Sequence, residues 1–501
     1  MPTPSLKRNI VANYSSQIFT ITVSILTLPK LIAIMGAEAY GLVAFFMLMQ
    51  SWLMLLDLGM SPTLTREISR YNGGALSGSD LLRFFHFLKK IFIGLSLLIF
   101  IVIAGLSDVI ASSWLKTQLI DHRTLVYCVV LMAAILAIRW VTSIYKAVVT
   151  GFEKLVWLSI FNSGIAALRF LGVFIVLLYV DKSPMFFFSY QLIVGIIEIV
   201  LIIRYAHKLL PLKSQTADIK STPLKALLGF SMTIAFTSAV WVIVTQTDKL
   251  ILSKLLTLSE FGYYALAVQL ASGISLIASP ISSAILPRLT RFEAESKHNE
   301  LIALYRQCTQ MVTIICGTLA LILIFFSNQL LYAWTGSSDL VAHVAPYLRL
   351  YAVGNLFLAF AAFPYYLQYA KGNLTLHLYG NLGFIIFLVP SLIFVVNKFG
   401  GLGAGYVWIF VNASYLFIYV PFINHKFDPH LNKLWYLNDL LKPLVPGILI
   451  ALLAYFFIPI SGNRFVAFFE LSLIALSVLC VCMLSSDKLR GYINIKSLKK
   501  S

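Results

Sequence analysis

Charge is what this sequence has least of. Only 12% of its 501 residues are Asp, Glu, Lys or Arg, while 59% are hydrophobic and the mean hydropathy is +0.88. A soluble globular chain carries roughly a quarter charged residues. The solvent for most of this chain is therefore lipid. Cysteine is scarce too: Cys128, Cys308, Cys316, Cys480 and Cys482 are odd in number and lie inside apolar runs, which excludes a disulfide framework and metal-ligand spacing. They read as small core residues. No GxxxxGK[ST] loop is present, so nothing points to direct nucleotide drive. No connection between apolar runs is long enough for a soluble catalytic domain, and clustered catalytic acids are missing. A membrane glycosyltransferase or polymerase would be expected to show both.

The net charge of +18 is compatible with nucleic-acid binding by sign alone. Its distribution argues against that, because Lys and Arg sit in short clusters between apolar runs and no basic domain exists. Lys7 and Arg8 precede an apolar stretch that is too long for a signal peptide and lacks an early small-residue cleavage site. That stretch reads as the first membrane helix.

A helix needs about 20 apolar residues to cross a bilayer. Spans are expected near 9–33, 40–60, 88–108, 124–148, 155–180, 184–206, 226–252, 260–287, 306–328, 340–369, 374–397, 402–424, 440–460 and 465–485. With both termini in the cytoplasm, the basic clusters fall on one side, among them Arg66 and Arg70, Lys146 and Lys154, Arg288, Arg291 and Arg306, and Lys426, Lys433 and Lys442. Only Lys116, Arg123, Lys182, Lys254, Lys398 and Arg464 fall on the other, an asymmetry that fits alternating spans with both ends in the cytoplasm. The positive charge orients helices beside anionic lipid.

A shift of 221 residues lays Gly41 on Gly262, Ala44 on Ala265, Ser51 on Ser272, Ser61 on Ser282 and Arg70 on Arg291. Spans two and eight then correspond and run in the same direction. The expected architecture is all-α: about fourteen transmembrane helices, arranged as two parallel six-helix lobes plus two C-terminal helices. The lobes are 1–208 and 226–425, joined by a basic cytoplasmic linker at 209–225; residues 426–501 carry the last two helices and a basic tail. Parallel repeats of this kind place a substrate site between the halves.

The motifs "MGAEAYG" (Met35 to Gly41), "DLGMS" (Asp57 to Ser61), "TDKLIL" with "EFGYYALA" (Thr247 to Ala267), "LPRLTR" (Leu286 to Arg291) and "FGGLGAGYV" (Phe399 to Val407) follow in order. Together they resemble the polysaccharide flippases of the multidrug/oligosaccharidyl-lipid/polysaccharide exporter superfamily, from about Asn9 to Val420. The resemblance implies translocation of undecaprenyl-pyrophosphate-linked oligosaccharide repeat units, as in O-antigen or capsule assembly, through a central cavity that opens alternately to each side. It also implies membrane lipid and other polysaccharide assembly proteins as partners. No cofactor is expected; a proton or sodium gradient is the expected drive, with the membrane potential or product consumption as alternatives. A multidrug efflux antiporter of the same fold is the second reading, and an acid-rich cavity would distinguish it.

Ionisable groups inside spans cost at least about 2.5 to 3.5 kcal/mol at a helix centre, so they face a cavity or a partner. At 1.5 Å per residue, Arg169 lies about 21 Å from the inner end of span five and Arg349 about 13 Å from the outer end of span ten. Arg139 and Glu198 lie about 21 to 23 Å from the outer ends of spans four and six. Arg169, Arg349 and Arg139 are the expected phosphate-binding cations, since guanidinium makes bidentate contacts with phosphate oxygens. The alternative is a structural ion pair, for instance Arg139 with Glu198; Glu198 is also a candidate for ion coupling. Lys30, Asp248 and Lys249 fall near the outer interface, where a gate or snorkelling lysines are the two readings. Asp57 falls near the inner end of span two, as a gate or a helix-end anchor, with Arg66 or Arg70 as expected partners. Asn13, Gln17, Gln246 and Asn355 either line the cavity or hold helices together. Pro29, Pro280, Pro364 and Pro390 are candidate bends.

Overall fold

A computed structural model describes residues 6–57, 59–211, 224–372 and 375–486. The basic linker expected at 209–225 falls mostly outside the described residues, and the basic tail after residue 486 wholly so. Among the described residues the chain is helical almost throughout, with one isolated bridge between Lys116 and Thr257. Twelve helices there are long and apolar enough to cross a membrane. The all-α membrane architecture follows from the composition, because hydrocarbon leaves the backbone no partner but itself.

The chain divides into two compact units, Met1–Gly262 and Tyr263–Ser501. In the first, α1 (Leu6–Met35) packs on α6 (Leu155–Ala167), α2 is Ala37–Leu53, and the short α3 (Met60–Asn72) lies against α5 (His122–Gly151). Helix α4 (Gly78–Gly105) and α7 (Pro184–Leu209) also pack on α5. The core of this unit gathers Leu64, Ile68, Phe85, Phe92, Ile144 and Val148. Helix α8 (Leu224–Leu255) belongs to it as well, meeting α2 and α3.

Helices that enter lipid from water expose their first N–H groups at the interface, and the sequence supplies caps there. Ser77 accepts from Asp80 N at 3.1 Å for α4, and Asp121 from Thr124 N at 2.9 Å for α5. Ser183 does the same for α7, followed by Pro184 at the first helical position.

The second unit begins inside α9 (Leu258–Ala294). It continues with α10 (His298–Phe325), α11 (Ser327–Thr335), α12 (Ser338–Ala361), α13 (Phe363–Ala370), α14 (Thr375–Ser414), α15 (Lys442–Phe457) and α16 (Arg464–Leu484). In the turn from α9 to α10, Lys297 and Arg291 donate to Glu295 and hold its carboxyl down at about 2.

Proline does not mark the break inside α14. Pro390 sits inside α14, yet the helical angles fail at Gly400, where φ is 59° and ψ is −147°. A side chain at that angle would be strained, so glycine makes the break and divides the 49-residue apolar stretch Tyr379–Phe427 in two. Pro364 stands just after the break between α12 and α13.

Four cysteines are buried, as expected of small core residues, but Cys480 is exposed. It sits on a face of α16 that the protein does not cover.

Candidate functional site

Span five does not run as a regular α-helix. After α6 the chain passes through a π-helical turn, Leu168–Gly172, before Val173–Tyr179 resumes the α-helix. A π-turn leaves carbonyl groups without their usual donors, and such turns recur at functional sites. Helix α7 answers them: Tyr190 Oη donates to the Leu168 carbonyl at 2.7 Å, and Gln191 Nε2 to the Arg169 carbonyl at 3.1 Å. A Cβ on Gly172 would stand 2.1 Å from Tyr190 Oη, so glycine is what admits the tyrosine.

This turn aims Arg169 at α7, where its guanidinium pairs with Glu198. Gln191 and Glu198 are seven residues apart, close to two turns, so one face of α7 holds both the backbone and the side chain of Arg169. Lys146 Nζ reaches the other oxygen of Glu198 at 2.7 Å. The Glu198 side chain is 5% exposed, Arg169 13% and Lys146 34%, so the triad opens toward its cations. Arg169 Nε finds no acceptor among the described residues.

Arg139 stands two turns before Lys146 on α5, on the same face. Its Nη1 donates to Gln50, its guanidinium lies 4.8 Å from the centre of the Phe46 ring, and its Nε also lacks an acceptor. The expected alternative, an Arg139–Glu198 pair, is thus corrected: Glu198 takes Arg169 and Lys146, and a neutral amide takes Arg139. Lys146, which the charge distribution counts among the orienting cations, joins the interior set instead; its position two turns from Arg139 on α5 is the signal in the sequence. Two cations, Lys146 and Arg169, share one carboxylate here, and Arg139 stands two turns away along α5.

Asp57 accepts from Ser61 N at 3.1 Å and from Ser61 Oγ at 3.0 Å. Gly59 takes the left-handed conformation, φ 71°, and α3 starts immediately after it. The carboxylate therefore fastens the start of α3 across a helix break. Arg70, one expected partner, is paired with Glu67 at 2.9 Å instead, because residues three apart share a helix face.

Lys249 Nζ donates to the Thr245 carbonyl and to Gln246 Oε1, both at 3.0 Å, while Asp248 is buried and accepts from Lys249 N at 2.7 Å. Lys30 is exposed. Asn13 and Gln17 are exposed on α1, 3.5 Å apart.

In the second unit Arg349 Nε donates to the fully buried Ser327 at 2.7 Å. Asn355 accepts from Trp408 Nε1 at 3.0 Å and is itself buried, so it ties α12 to α14. Sequence reading did not single out Asp439. Arg306 holds it through two hydrogen bonds, at 2.7 and 3.1 Å, and Gln310 through one at 2.6 Å. This fully buried carboxylate pins the segment before α15 to α10, and Ser486 closes the network on Gln310 at 2.5 Å.

Residues 6–293, more than half of the chain, match the family described as polysaccharide biosynthesis protein. The chain belongs to that family. Residues 233–391 also match the MatE family. This family member is 20% identical over 409 residues to the Shigella flexneri protein named "Putative O-antigen transporter", covering 81% of this chain and 94% of that one. Its fold is similar to that of a solved structure titled as the lipid II flippase MurJ in an inward closed conformation, with a TM-score of 0.68 at 14% identity, covering 95% of this chain and 98% of that one. It is similar also to an inward-facing multidrug resistance MATE family transporter of the MOP superfamily, with a TM-score of 0.67 at 14% identity, covering 82% and 95%. This polysaccharide biosynthesis family member is a multi-pass membrane protein, and its fold is that of solved transporters of the MOP superfamily, the superfamily that its sequence motifs resemble.

Proposed function

We propose that the protein flips undecaprenyl-pyrophosphate-linked oligosaccharide repeat units from the cytoplasmic to the periplasmic leaflet of the bacterial inner membrane, by alternating access, for O-antigen or other surface polysaccharide assembly. The observation that carries this reading is the cluster that α5 and the π-turn of span five build: Lys146 and Arg169 share one carboxylate, Glu198, and Arg139, two turns before Lys146, meets only the neutral Gln50 and the Phe46 ring. Bidentate, charge-assisted bonds to phosphate oxygens are what such groups make best.

Arg349 is the corresponding cation of the second unit. In this reading the two halves of Tyr379–Phe427 count as two spans and α8 as a further one; fourteen spans put both termini on one side, and the Lys and Arg asymmetry makes that side the cytoplasm. Proton or sodium coupling is the proposed drive, with Glu198, the carboxylate held between Lys146 and Arg169, as the coupling group. The MatE match supports efflux of cationic drugs as a second reading. The same cluster speaks against it, because a cationic substrate would meet like charge.

The test is Arg169→Ala and Arg349→Ala in the producing strain. Surface polysaccharide is expected to be lost in each while the protein stays in the membrane. Normal polysaccharide in both would reject the cation assignment.

A further inference from the structure

The connection from α4 to α5 ends in a strap, residues 114–121, whose polar groups are given to neighbouring elements. On one side Gln118 N and Leu119 N donate to the two oxygens of Glu38, at 2.5 and 2.8 Å. On the other, the strap runs beside the turn between α8 and α9. Leu258 N donates to the Lys116 carbonyl at 2.8 Å, Lys116 and Thr257 form the isolated bridge, and Lys116 Nζ donates to the Leu255 carbonyl at 2.9 Å. Trp114 Nε1 donates to Ser253 Oγ at 3.0 Å, Lys254 Nζ lies 5.3 Å from the centre of the Trp114 ring, and Leu115 is buried.

Glu38 stands in the first turn of α2 and is 4% exposed. Burying a carboxylate is costly unless hydrogen bonds satisfy it. Two amides of the strap do so here, helped by the positive end of α2. The burial of Glu38 therefore depends on the strap being in place.

All of these contacts lie within the first unit, yet they join two halves of the sequence repeat. Helix α2 belongs to the first half, and α8 with the start of α9 to the second. Leu258, whose N–H meets the strap, also presents its carbonyl oxygen 2.0 Å from where a Cβ on Gly41 would stand, so α2 and the α8–α9 turn are in close contact at the same end. The Lys and Arg asymmetry assigns that end to the outside. A cavity between repeat halves cannot open outward while these bonds hold. We propose that the strap is an outer latch: it keeps the outside shut in this conformation, leaves Glu38 and the α8–α9 turn each time the cavity opens outward, and needs the Glu38 carboxylate to close again. The latch rests on the alternating-access reading; the contacts that build it do not.

Fixing the strap tests the latch. In a chain whose exposed Cys480 is replaced by serine, Lys116→Cys with Thr257→Cys allows a disulfide, because bridged backbones run about 4.8 Å apart, inside the roughly 4.4 to 6.8 Å that a disulfide spans. Surface polysaccharide is expected to fall at least tenfold in the oxidised double variant and to return with dithiothreitol, while each single variant exports like the parent. A disulfide that forms and leaves export unchanged overturns the latch, since a purely structural strap tolerates being fixed; so does a pair that fails to oxidise. Labelling reads the same latch without export. In the same background Leu258→Cys, at a position 2% exposed, is expected to react with an impermeant maleimide at least tenfold faster once Glu38→Leu is added, with Glu38→Gln, which keeps one accepting oxygen, in between. Equal rates in all three overturn the role of Glu38. If a strain lacking the protein keeps its polysaccharide, the flippase reading fails and the labelling result stands.

Discussion

Gly41 and Gly262 lie backbone against backbone: a Cβ built on Gly262 would stand 3.2 Å from Gly41 Cα and 2.8 Å from the Ala37 carbonyl oxygen. A Cβ on Gly41 would fall 2.0 Å from the Leu258 carbonyl oxygen. Lipid gives helices no hydrophobic reason to associate, so close approach through small residues and the dispersion it brings hold them together. Gly262→Leu is expected to destabilise the detergent-solubilised protein by about 1 to 3 kcal/mol, as overpacking does. Gly94→Ala, where no atom lies within 4 Å of the new Cβ, should leave the thermal midpoint unchanged. Equal midpoints for the two variants would contradict the contact.

The Arg169–Glu198 pair sets up a double-mutant cycle. Removing one member of a buried ion pair leaves an uncompensated charge and costs about 3 to 5 kcal/mol, whereas replacing both costs far less. Lys146 still holds Glu198 in Arg169→Met, so that variant should lower the unfolding midpoint less than Glu198→Met, which strands two cations; the double variant, which leaves only the more exposed Lys146 unpaired, should recover part of the Glu198→Met loss. Export should stay absent in the double variant, because the phosphate-binding cation is gone. Recovered export would show that the pair is purely structural.

Asp57 gives the third expectation. Its contacts are with Ser61 N and Oγ, and an asparagine oxygen can accept the same two bonds. Asp57→Asn should therefore keep export near the parent level. Asp57→Leu should lose about 0.5 to 2 kcal/mol of stability, the usual cost of a lost helix cap. Export abolished in Asp57→Asn at normal protein level would restore the gate reading.

Much of this arrangement was legible in the chain. The offset that lays Gly41 on Gly262 reads as a repeat of spans and not as a contact; that these two glycines touch is added by the structure. Apolar length marked the spans because hydrocarbon forces every backbone group into a helix. What stayed hidden were the partners. Depth along a span locates a charge to within a few ångströms but does not say which neighbouring helix it faces, so Arg139 was matched with Glu198 when Arg169 and Lys146 hold that carboxylate. The π-turn that aims Arg169 has no marker in an apolar run apart from Gly172 and the Tyr190–Gln191 pair that answers it. Asp439 was passed over because it stands beside the basic residues near the inner end of span thirteen, where a solvated charge is the ordinary reading.

The most direct measurement is mass analysis of the lipid fraction from a strain lacking this protein, complemented with the parent chain or with Arg169→Ala. An undecaprenyl-pyrophosphate-linked saccharide is expected to accumulate without the protein and with Arg169→Ala, and to disappear with the parent chain as surface polysaccharide returns. An unchanged lipid fraction in all three strains, together with raised sensitivity to cationic drugs when the protein is missing, would contradict the flippase account.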